Sequence, residues 1–127
     1  MKAMEPLEMS QTVMDEYAAR ILLGTCESAA SALDLSRRFG IPIAACYRRI
    51  RQLEQLGLVY CESSLPSRNG KGLQLFRSRL LSVRVSLEEG HLRARVVLQQ
   101  PGETLADGAR VAEQTLNLVD AAARNPC

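Results

Sequence analysis

The sequence predicts an α+β fold that is mostly α: three helices, a basic hairpin, a second hairpin and a C-terminal helix. Three observations predict it. Apolar residues recur at helical spacing in three segments before residue 57, and between residues 58 and 98 they alternate with polar ones. After residue 103 they return to spacings of four and three. At 127 residues and 46% hydrophobic, the chain has one domain's length and enough aliphatic material for a core.

Residues 1–11 lack periodicity and read as a flexible N-terminus. From Thr12, Met14, Tyr17, Ala18, Ile21 and Leu22 form one helical stripe that Gly24 ends. A second helix starts at Ser31, whose hydroxyl can cap it with Asp34 three residues on. It carries Leu35 and Phe39 inward and Arg37 and Arg38 outward, and it stops at Gly40. A third helix, about 42 to 56, has Ile43, Cys46, Ile50 and Leu53 as its inner set; Tyr47, Arg48, Arg49, Arg51 and Gln52 face elsewhere. Gly57 stops it. Residues 58–63 and 73–79 then form a hairpin around LPSRNGKG (65–72), a turn by composition with a basic tip. Val83, Val85 and Leu87 and, past Glu89-Gly90, Leu92, Ala94, Val96 and Leu98 form a second hairpin. The unit 12–100 is followed by a helix over 103–124, where Leu105, Ala109, Ala112, Leu116, Val119 and Ala123 make a heptad-like seam. Either that seam packs on its own domain or it joins two copies. Val111, Leu118 and Ala122, a second apolar face, favour a homodimer through this helix.

The net charge of +2 conceals an uneven distribution. Residues 1–34 balance at −4, residues 35–79 at +7 and residues 80–127 at −1. A strongly basic segment in a nearly neutral chain is the footprint expected of a surface that meets phosphates. The N-terminus has no apolar run of a secretory leader, and no stretch of about 18 apolar residues could span a membrane, so the cytoplasm is the expected compartment. Cys26, Cys46, Cys61 and Cys127 lack metal-ligand spacing and are expected to be reduced, the first three also buried. No metal or cofactor is expected. His91, the sole histidine, sits beside a turn, and no nucleophile–base set accompanies it, so no enzyme activity is expected.

Helix, tight glycine turn, helix, strand, basic loop, strand is the order of a winged helix-turn-helix, in which the second helix of the pair presents a polar face to the DNA major groove. DLSRRFGIPIAACYRRIRQLEQLGLV, residues 34–59, resembles the signature stretch of ArsR/MarR-type winged-helix regulators. The shared features are the acidic-Leu-small-basic-basic-apolar-Gly run from Asp34 to Gly40, and Leu53-Glu54 followed by Gly57-Leu58-Val59. Residues 70–96 are similar to archaeal members with an added hairpin, so the resemblance covers about residues 12–100. It implies binding of double-stranded DNA as a transcriptional regulator. Pro42, Ala44, Ala45, Tyr47 and Arg48 would face bases, with Arg49 and Arg51 nearer the backbone. Arg68, Asn69 and Lys71 at the wing tip would reach phosphate or the minor groove. Serine or threonine is usual in that family where Ala44, Ala45 and Tyr47 stand, which leaves Arg48 as the bidentate guanine reader. Tyr47 could instead belong to the core, and Arg37 and Arg38 to a solvated face. The competing expectation is a winged helix that serves as a protein-interaction subunit of a larger transcription complex without binding DNA itself.

Overall fold

The computed structural model describes residues 5–66, 72–99 and 109–117. Asp15 splits the stripe expected from Thr12 onward. Its carboxylate accepts the Ala18 N–H at 3.0 Å and caps α2 (Glu16–Gly24), while α1 (Pro6–Val13) ends just before it. The N-terminus expected to be flexible therefore carries most of a helix, and Met9 on it is 2% exposed. Ala18, Ile21 and Leu22 keep their buried places, whereas Met14, at the break, is turned out to solvent.

Ser31 caps α3 (Ala32–Phe39) by accepting the Asp34 N–H at 3.1 Å. Gly40, at φ 66°, then lets the Ile41 N–H fold back onto the Ser36 carbonyl at 3.0 Å, the closure that turns the chain sharply into α4 (Ile43–Gln55). The same device recurs at Gly57, φ 78°, where the Leu58 N–H reaches the Leu53 carbonyl at 2.8 Å. The chain leaves as β1 (Val59–Leu65), which pairs antiparallel with β2 (Leu73–Ser78), Val59 opposite Ser78 and Leu65 opposite Leu73. Backbone bonds tie this hairpin to the helices. Ala30 and Phe76 exchange two of them at 3.0 and 2.9 Å, and the Ser78 N–H donates to the Thr25 carbonyl at 3.0 Å.

The second hairpin is β3 (Leu80–Glu88) and β4 (His91–Gln99), joined by Glu89 and Gly90, both at positive φ. The next element overturns the helix expected over 103–124. Residues Ala109–Asn117 form β5, antiparallel to β4, and complete a sheet ordered β3-β4-β5. The parts of that expectation at 103–108 and 118–124 lie outside the described residues. Helical spacing at Ala109, Ala112 and Leu116 yielded to pairing because the hairpin leaves one edge of β4 open. In strand geometry Ala112, Gln114 and Leu116 fall on the same face as Val96, Ala94 and Leu92. The mostly helical balance falls with it, since helix and strand take 38% and 41% of the described residues.

One continuous core results. Ile21, Leu35, Ile50, Leu53 and Leu58 fill the space among α2, α3 and α4, and Met9 on α1 extends it onto Val96 and Leu98 of the sheet. Gln114 of β5 also caps α1: its side-chain oxygen accepts the Leu7 N–H at 3.1 Å, a first-turn donor with no partner in its own helix. Among the described residues no helix is long and apolar enough to cross a membrane.

Candidate nucleic-acid interface

α4 lies across α2 and α3 because its inner face is apolar and theirs accept it. That face is Ala45, Cys46, Ile50 and Leu53, all buried, with Leu56 closing the end. The Cys46 thiol donates to the Ala32 carbonyl at 3.4 Å, and burial pushes its pKa up, so it packs as a neutral group. Ile43, expected on this inner face, is 41% exposed; Ile41, just before the helix, takes the buried place instead at 2%.

The outer face carries Pro42, Ala44, Tyr47, Arg48 and Arg51, all exposed. Ala44, Tyr47, Arg48 and Arg51 follow one another at helical i, i+3, i+4, i+7 spacing and share one stripe. Tyr47, for which a core place was the alternative, is 47% exposed. Two residues expected on this surface are placed elsewhere. Ala45 is 7% exposed, turned into the core. Arg49 forms a two-pronged pair with Asp15, Nε to Oδ2 at 2.8 Å and Nη2 to Oδ1 at 3.2 Å. The Arg49 guanidinium and then the Ala18 N–H hold the Asp15 carboxyl below its ordinary value, and Asp15 in turn raises the Arg49 pKa. The pair latches α4 to the α1–α2 junction. Sequence spacing missed this role because Asp15 lies 34 residues away.

The basic excess of residues 35–79 is answered only in part within the fold. Arg38 lies 3.6 Å from Asp34 and Arg77 3.4 Å from Glu62, while Arg79 stacks over the Tyr60 ring at 5.3 Å. Arg37, Arg48 and Arg51 have no ion pair among the described residues. Arg68, Asn69 and Lys71, expected at the hairpin tip, lie outside the described residues. Arg20 acts structurally, its guanidinium donating to the Phe39 carbonyl at 2.8 Å and pairing with Glu16, which fastens the last turn of α3 to α2.

A recess between α4 and the hairpin is lined by Ser31, Leu33, Tyr47, Leu73, Gln74 and Phe76. Leu33 and Leu73 are 44% and 41% exposed there. Sequence reasoning assigned neither to the interface; Leu33 carries a weak signal, standing on α3 out of phase with Leu35 and Phe39. Of the cysteines expected to be buried, Cys46 is; Cys61 is partly exposed and Cys26 is exposed.

α2, α3 and α4 thus form a three-helix unit with a tight turn before its last helix and an exposed stripe on that helix. Residues 13–62 match a helix-turn-helix domain. The match runs from the end of α1 into β1 and stops short of the sheet β3-β4-β5. No curated protein matches the chain. A helix-turn-helix domain points to DNA binding and to a regulatory protein.

Proposed function

We propose that this protein binds duplex DNA as a transcriptional regulator, with α4 in the major groove and the β1–β2 hairpin as a wing reaching the backbone. The observation that carries this is the exposed stripe Ala44, Tyr47, Arg48, Arg51 on the last helix of the matched domain. Arg48 is the guanine reader, since a free guanidinium can bond two acceptors on one base edge. Ala44 offers a methyl to thymine. Arg51, one turn further from the helix start, lies toward a phosphate, which positions the protein without reading sequence. Arg68, Asn69 and Lys71 extend the same contact from the wing. The resemblance of residues 34–59 to ArsR/MarR-type regulators supports this reading, and the compartment it requires is the cytoplasm. Ala45 and Arg49 drop out of the contact set, one for burial and one for its bond to Asp15.

The test is titration of a random duplex pool at two salt concentrations, followed by sequencing of the bound fraction. With roughly three or four phosphates neutralised, affinity should fall about 40-fold to 150-fold between about 50 and 200 mM salt. Arg48→Ala should relax the preference at one base position, a cost of about 1–3 kcal/mol. Arg51→Ala should weaken all duplexes alike. A shallow salt response with no duplex bound would favour the second reading, a protein partner on the same face. That reading draws on the apolar character of Leu33, Ile43, Leu65 and Leu73 around Tyr47, each at least 41% exposed.

A further inference from the structure

We infer that two copies of this chain associate by pairing their β3 strands edge to edge, extending the three-stranded sheet to six strands about a two-fold axis at Ser86. The inference does not depend on what α4 binds. β3 pairs with β4 on one side only, and among the described residues nothing pairs with its other side. Proteins normally protect such an edge with lysine, proline or a bulge. β3 has neither lysine nor proline, and its one irregularity lies at its start, between Leu80 and Ser82. From Ser82 to Glu88 it runs in regular register against Val97 to His91. With Glu88 and His91 closing a two-residue turn, antiparallel alternation directs the N–H and C=O groups of Val83, Val85 and Leu87 to the free edge.

The side chains along this edge are complementary to themselves. Centred on Ser86, an antiparallel copy sets Arg84 opposite the partner's Glu88, and Val85 opposite the partner's Leu87. Each contact then occurs twice by symmetry. Arg84 needs such a counter-charge. Its cross-strand neighbour is Arg95, whose guanidinium is engaged on its other side by Glu113 of β5 at 3.1 Å, so two arginines lie side by side and only Arg95 has a carboxylate. Neither Arg84 nor Glu88 has an ion pair among the described residues. On the opposite face Val85 and Leu87 are 44% and 76% exposed, beyond the part of the sheet that α1 covers. The other outer strand, β5, is less suited, because its carboxylate Glu113 is already spent on Arg95.

Sedimentation of the full chain over a range of concentrations tests this. A monomer–dimer equilibrium is expected. Arg84→Glu and Glu88→Arg should each raise the dissociation constant roughly tenfold or more, since both symmetry-related pairs become repulsive. The combined charge swap should return it to within about threefold of the original, because opposite signs face each other again. A register-specific measurement stands beside it. With Cys26, Cys61 and Cys127 replaced by serine, Ser86→Cys should form an intermolecular disulfide under mild oxidation, since a non-hydrogen-bonded pair brings its Cα atoms within bridging range. Thr115→Cys on β5 should not. The idea is overturned by a monomer at every concentration, by single variants that leave association unmoved, by a charge swap as weak as its parents, or by failure of Ser86→Cys to cross-link.

Discussion

At the scale of single residues, the candidate surface is decided by which side chains are already committed. Arg48 and Arg49 are neighbours of the same type, yet Arg48 has no ion pair among the described residues and Arg49 is bound bidentately to Asp15. Their sequence context does not separate them; only the distant carboxylate does. The inner set of α4 was legible from spacing at Cys46, Ile50 and Leu53, whereas Ile43 and Ala45 exchanged sides in the first turn, where Ile41 supplies the buried anchor. Asp15 also allows a pH prediction. Its folded pKa is depressed, so the stability it contributes is present above the ordinary carboxylate value of 3.8 and is lost as pH falls through the lower folded value. Asp15→Ala should cost about 1 kcal/mol at pH 7, mainly through the lost helix cap, with little added by a pair about one-third exposed. Urea melts of the variant and the parent chain should converge as pH falls below 3.8.

At the scale of elements, caps and turns were the most readable features, because each rests on local chemistry. Ser31, Gly40, Gly57 and the Glu89-Gly90 turn all act where the sequence placed them. The break at Asp15 and the strand β5 were not readable. A carboxylate in the middle of a helical stripe fits a solvent-facing position as well as a cap, and residues 109–117 space Ala109, Ala112 and Leu116 by three and four, with no clean period of two to point to a strand. That a strand forms there depends on the open edge of β4, a partner distant in sequence. The turn offers its own test. Glu89 sits at φ 48°, a region uncomfortable for a long side chain but accepted by asparagine, and its hairpin has two residues at positive φ. Glu89→Asn should therefore raise thermal stability by roughly 0.5–1 kcal/mol without altering the register.

At the scale of the whole molecule, α1 joins the helical region to the sheet. Met9 reaches from it into the shared core, and Gln114 reaches back to its first turn. Met9→Ala should destabilise the chain by about 2–5 kcal/mol, as expected for a methionine removed from a packed interior. The two regions should lose their structure in one transition, read together by far-UV circular dichroism and amide exchange on β4. Two separate transitions would show that the sheet folds on its own. The order of α2, α3, α4 and the two hairpins was legible because each is written in a short stretch. The coupling through α1 was not, because a segment of eight residues with one methionine pointing inward carries too little pattern to be distinguished from a loose terminus. The fastening of the first hairpin has a different consequence. Since it hangs from Thr25 and Ala30 by main-chain bonds, the gap between α4 and β2 is set by atoms that every residue type possesses. The side chains facing that gap are thus at liberty to drift. A lineage could retune what the recess accepts, one substitution at a time, while the frame that holds it keeps its dimensions.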